Sequence, residues 1–168
     1  MPKLLSPRVI LAFIGLVCIG LLTTAWFLQY GPDRHQPCPL CILQRYAYLS
    51  LAIVCLLAAA HGPQRIGMLI YAVIADLFAG AGTGLSLWQV SKGASMTTCL
   101  ADPIGEFVNG LPSANWWPEF FFATGGCADK YPPIFGLYVP QWSLVWFTVF
   151  LILITVALIA TMRRKRAA

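Results

Sequence analysis

The chain has 168 residues, 59% of them hydrophobic and 10% charged, with a net charge of +5. A soluble domain carries roughly 25% charged residues, so there is too little polar sequence here to wrap buried helices, and a water-soluble globule is excluded. The positive charge collects beside apolar runs, where it signals topology, and gives no reason to invoke nucleic acid.

Four windows reach the roughly 20 apolar residues that a helix needs to cross a bilayer, at about 9–28, 42–60, 66–88 and 142–162. The first follows Lys3 and Arg8 but is longer than the apolar core of a signal peptide and lacks a small-x-small cleavage site, so it is read as a retained transmembrane helix. A loop near 29–41 leads through "QPCPLC" into the second window. The link "HGPQR" after it allows only a tight helical hairpin. Near the middle of the third window stands Asp76, an ionisable residue that is costly there and often functional. Its expected state is protonated, or bonded to a neighbouring helix.

The long loop near 89–141 is rich in Gly and Pro but carries "NWWPEFFF", an aromatic group expected at the headgroup level on a short interfacial helix. The expected architecture is an all-α integral membrane protein. It is a single four-transmembrane-helix bundle over 1–168, with one long outer loop.

Lysine and arginine placement orients the bundle. Both termini and the 61–65 link share one side, which holds Lys3, Arg8, Arg65, Arg163, Arg164, Lys165 and Arg166. The other side has Arg34, Lys92 and Lys130, with Arg45 just inside the second window, and five of the six acids. Both termini are therefore expected in the cytoplasm.

Of the six cysteines, Cys18 and Cys55 lie inside the first two spans and read as inert, space-filling thiols. Cys38, Cys41, Cys99 and Cys127 fall on the outer loops or their edges, an even set on the oxidising side that suggests disulfides. For Cys38 and Cys41 a zinc site lacks a second matched pair, and His35 reads as an exposed loop residue. A structural bridge over so short a loop restricts the unfolded chain little. A redox-active pair remains.

Local physics favours that reading. Pro39 suits the first turn of a helix, which puts both thiols near unpaired N–H groups and the positive end of the dipole, where thiolate is stabilised. Arg45 follows Cys41 by four residues, on the same helical face. Its bland alternative is a side chain snorkelling to the headgroups. A thiol pair at the membrane surface needs an electron acceptor, and membrane quinone supplies one whose anionic reduction states Arg45 could stabilise. The residues allow this route without requiring it.

The chain resembles the DsbB family, bacterial inner-membrane oxidases that pass electrons from a periplasmic thiol oxidase to quinone. The resemblance covers nearly the whole sequence: four spans, "PCPLCILQR" opening the second, "TTC" and "ATGGC" in the long loop, and "FGLYVPQWSL" leading into the last. It implies that Cys38 and Cys41 are the quinone-proximal pair, with Cys41 the thiolate facing the quinone (ubiquinone or menaquinone). It implies that Cys99 forms the mixed disulfide with a periplasmic thioredoxin-like, DsbA-type partner, and that Cys127 is its companion and exchanges with Cys38. Arg45 matches the arginine implicated in quinone binding.

One departure stands out. Some members carry a basic residue, often His, near the exit of span three, where "GLSLWQVSKG" offers only Lys92; Ser86, Trp88 or Gln89 are the candidates to line the quinone site instead. The resemblance supplies no role for Asp76. Ahead of Cys127, Gly125 and Gly126 read either as a hinge that lets Cys127 swing between Cys99 and Cys38, or as a tight turn with positive φ.

Two other classes are weighed. A structural or adhesion protein braced by outer disulfides gives no reason for CxxC beside Arg45. An enzyme of the vitamin K epoxide reductase type places its CxxC in a late span, whereas here it opens the second. The orientation is checked in spheroplasts: a membrane-impermeant thiol reagent should label reduced Cys99 and Cys127. A cysteine introduced by Ala168→Cys should stay unlabelled until the membrane is broken, and the reverse pattern would sink the topology.

Overall fold

The computed structural model describes residues 6–31, 34–92, 103–126 and 131–163. Cys99 and Cys127 lie outside them. Helix α1 spans Pro7–Tyr30, α2 Pro39–His61, α3 Arg65–Lys92 and α7 Val139–Arg163, with three short helices, α4 (Pro103–Asn109), α5 (Pro112–Trp116) and α6 (Pro118–Phe121), in the long loop. Among the described residues four helices are long and apolar enough to cross a membrane: α1, α2, α3 and α7.

Each long helix extends past its apolar window, because hydropathy does not register caps. Ser6 caps α1, its hydroxyl accepting from the Val9 N–H, with Pro7 in the first turn. The hairpin between α2 and α3 turns on Gly62, left-handed at φ +55°, whose N–H bonds back to the Ala58 carbonyl. The Arg8 side chain lies against Gly62 where a Cβ would stand, and its Nε donates to the Ala59 carbonyl at 2.6 Å. The start of α1 is thereby fastened to the end of α2.

The bundle packs α1 on α2, α2 on α3 and α3 on α7, with α1 also touching α7. Between membrane helices close packing drives association, so small residues gather at interfaces. The buried face of α3 shows this: Ala72, Ala75, Ala79, Gly82, Ser86 and Gln89 recur every three or four residues, small along most of its length and polar only at its outer end. Opposite Gly82, the Phe147 ring stacks on Tyr48 with centroids 3.9 Å apart, so that one sandwich ties α3, α7 and α2 together. Asp76 accepts a hydrogen bond from the Thr155 hydroxyl of α7 at 3.0 Å, which is the bond to a neighbouring helix foreseen for it.

The long loop corrects one expectation in detail. Its described residues hold three short helices where the sequence predicts one, because Pro112 and Pro118 each open a new first turn. Nor does "NWWPEFFF" act as one belt. Trp116 is open, but Phe120 and Phe121 are buried: Phe120 stacks against Trp26 of α1 and Phe121 against Tyr46 of α2. These two rings bind the loop to the bundle.

A methyl added at Gly82 would overlap the Phe147 ring, whereas one at Gly84 would meet nothing within 4 Å. Gly82→Ala should therefore lower stability by about 1–3 kcal/mol, read as thermal unfolding in detergent. Gly84→Ala should be neutral or slightly stabilising. Equal effects would show that the Phe147 sandwich does not hold the bundle together.

Candidate functional site

The site forms where the loop before α2 becomes helix. Pro39 occupies the first turn, and Cys38 is itself the N-cap residue: its sulfur accepts from the Cys41 N–H at 3.2 Å. The two sulfurs lie 2.7 Å apart, both as free thiols. The hydrogen bond to Cys41, and after it burial, push the Cys38 thiol up, which favours Cys38 as the protonated member of the pair.

Gln89 comes from the outer end of the α3 stripe. Its amide nitrogen reaches Cys38 Sγ at 3.2 Å and Cys41 Sγ at 3.4 Å. Its oxygen accepts from the Gln44 side chain of α2 at 2.8 Å, which fixes the direction of the amide. Of the three candidates for the third span, Gln89 is thus at the sulfurs. Trp88 is less than half exposed and does not line the cleft, and Ser86 is buried with its hydroxyl unpartnered among the described residues. Gln44 escaped the sequence reading, although an amide in an apolar helix is a signal of buried hydrogen bonding.

Arg45 does not snorkel. It is 6% exposed, donates to the Phe120 carbonyl at 2.8 Å, and stands 5.0 Å from the centre of the Phe120 ring, a cation–π distance. Both partners come from Phe120, on the buried side of loop helix α6. Arg45, Cys38, Cys41 and Gln89 share one cleft, closed on the other sides by α1 and the start of α7.

The arm leading to Cys127 docks on this cleft. The N–H groups of Thr124 and Gly125 both donate to the Pro37 carbonyl, at 3.0 and 3.1 Å, and Gly126 lines the cleft beside Cys38. Positive φ at a described glycine occurs at Gly62 and Gly136, not at Gly125, so the tight-turn reading of Gly125 is corrected. A Cβ there would collide with the Gln36 carbonyl, and close backbone approach is what requires glycine. Cys99 and Cys127 themselves fall outside the described residues.

His35 is a second correction. It is 9% exposed and not a surface residue, with its ring stacked 4.4 Å from that of Tyr131. Nothing local to His35 signals this, because Tyr131 lies ninety-odd residues along the chain. Cys18 and Cys55 are fully enclosed between α1 and α2, away from the cleft.

Residues 7–157 match the family model of the disulfide bond formation protein DsbB. The disulfide bond formation protein B of Nitrosomonas europaea is 41% identical over 85% of this chain and 88% of its own length. The proteins of that name in Herminiimonas arsenicoxydans and Ralstonia nicotianae are 37% and 35% identical, over 96% and 95% of this chain and 99% and 98% of their own. With a free CxxC pair capping a membrane helix, and with matches of this extent, the chain belongs to the DsbB family of membrane disulfide bond formation proteins.

Proposed function

We propose that this membrane oxidoreductase reoxidises a periplasmic DsbA-type dithiol oxidase and hands the electrons to membrane quinone. It would do so as one four-helix domain in the bacterial inner membrane, with both termini in the cytoplasm. The observation that carries the reading is the buried guanidinium of Arg45 in the same cleft as the Cys38–Cys41 pair. A buried cation bonded to one carbonyl, 2.8 Å away, is an expensive arrangement unless it meets negative charge that comes and goes.

The residues of the cleft fit a quinone. Its walls are mostly apolar, as suits a flat ring with a lipid tail. Arg45 and His35 offer donors for carbonyl oxygens, and the His35 nitrogens lack partners among the described residues. A bound quinone would supply a two-electron acceptor. The chain's own part is to hold Cys41 beside that acceptor, to orient both sulfurs through Gln89, and to keep a fixed positive charge at hand.

The proposed relay starts with the partner's thiolate attacking Cys99. Cys127, released, attacks Cys38 through a mixed disulfide, and Cys41 becomes the thiolate that faces the quinone. The docked arm at 124–126 supports this order, since it ends one residue before Cys127, is bonded to Pro37, the neighbour of Cys38, and lines the cleft that holds Cys38.

Purified protein given a reduced thioredoxin-like partner should consume quinone. Serine at Cys38, Cys41, Cys99 or Cys127 should abolish that turnover, while Cys18→Ala and Cys55→Ala should leave it near normal. If the last two together stopped catalysis, the assignment of four working thiols would be wrong.

Arg45→Ala should slow quinone reduction on the order of 100-fold, whereas a mixed disulfide through Cys99 should still be trapped. Unchanged kinetics across a quinone titration would leave Arg45 a purely structural tie to Phe120.

A further inference from the structure

His35 lies three residues before Cys38, buried, with neither ring nitrogen hydrogen-bonded among the described residues. Its position is fixed from several directions. Tyr131 stacks on the ring with planes 17° apart, and the Tyr131 hydroxyl accepts from the Gln36 N–H at 2.9 Å. The His35 N–H donates to the Leu28 carbonyl at 3.2 Å. The imidazole lines the same cleft as Cys38, Cys41 and Arg45. Two buried polar atoms left without partners are costly, and the cleft they share with the Cys38–Cys41 pair is where such a cost can serve a function.

We propose that His35 is the proton acceptor of the Cys38–Cys41 dithiol, an assignment that rests on the thiol-oxidase reading above. In the reduced pair the Cys41 S–H bond breaks, its electrons stay on sulfur, and the proton passes to the free lone pair of the imidazole. The result is a thiolate and an imidazolium in one cleft, with Cys38 still protonated. On oxidation the two sulfurs join and release two electrons. The Cys38 proton and the proton stored on His35 leave with them, so an acceptor of the quinone class receives two electrons and two protons, and no outside proton is consumed.

Neighbouring groups do not fill this role. The Arg45 guanidinium has no lone pair to offer, and the Gln89 amide does not take up a proton. Imidazole ordinarily titrates nearest to neutral pH. Among the described residues, the titratable or charged groups lining the cleft besides His35 are Cys38, Cys41, Arg45, Tyr48 and Tyr131, and the described parts of α1, α3 and α7 contribute none.

The test is a pH titration of ultraviolet thiolate absorbance in the reduced, quinone-free full chain, with the trace of a Cys38→Ala/Cys41→Ala protein subtracted. Loss of the imidazolium removes a charge that favours the thiolate. In His35→Gln and His35→Ala the thiolate should therefore form about one pH unit or more higher than in the unaltered protein. Imidazole added to His35→Ala should restore the lower titration. If His35→Ala does not fold, His35→Gln decides alone. An unchanged titration in His35→Gln would overturn the proposal and leave His35 as the stacking partner of Tyr131. Because no quinone is present, this result is independent of the Arg45 experiment. Failure of quinone reduction alongside a shifted titration would count against the quinone reading and not against His35.

Discussion

The site depends on one amide. Gln89, at the outer end of α3, touches both sulfurs of a pair carried by the start of α2, and Gln44 of α2 holds its oxygen in return. The two helices are therefore in register at the candidate site. That register is set far below, by the small residues that let α3 lie close to its neighbours and by the Phe147 ring seated over Gly82. A shift of one turn in α3 would move Gln89 about 5 Å and leave two sulfurs and a glutamine side chain without partners. Packing in the apolar middle of the bundle and hydrogen bonding at its outer end are thus one constraint.

The same economy governs the charge. In water a guanidinium next to a thiol would be screened, and its influence on a developing anion small. The long loop removes the water: Phe120 covers Arg45 with its ring and gives it a carbonyl. Loop, cation and thiol pair form a layered arrangement in which the aromatic residues serve electrostatics as much as anchoring. The chemistry expected of a disulfide-forming oxidoreductase needs thiolate and cation to feel each other, and burial supplies that.

Much of this was legible in the sequence, and for local reasons. Four spans follow from hydropathy, and the position of Cys38 and Cys41 at a helix start follows from Pro39, because a proline in that place has few other uses. The i to i+4 relation of Cys41 and Arg45 is a property of any helix. What stayed hidden depends on residues distant along the chain. Nothing near His35 announces that Tyr131 will cover it. Nothing near Arg45 announces the Phe120 carbonyl. The three helices of the long loop could be placed only by the prolines that divide them, whereas the inward turn of Phe120 and Phe121 is a tertiary choice. Gly125 looked like a joint or a turn because glycine so often marks one; that it admits a carbonyl oxygen is visible only with Gln36 in place.

The seat of that arm has a kinetic meaning. Both hydrogen bonds that hold residues 124 and 125 end on a single acceptor, the oxygen of Pro37. Contacts that share one atom are lost in one displacement, so detachment of the segment resembles a latch with two positions and not a zipper that frays residue by residue. Each such bond contributes about 1 kcal/mol net, so the open position lies within reach of thermal motion. The two bonds to Pro37 are main-chain bonds, and the Asn109 side chain, paired with the N–H and carbonyl of Ala123, anchors the chain just ahead of them.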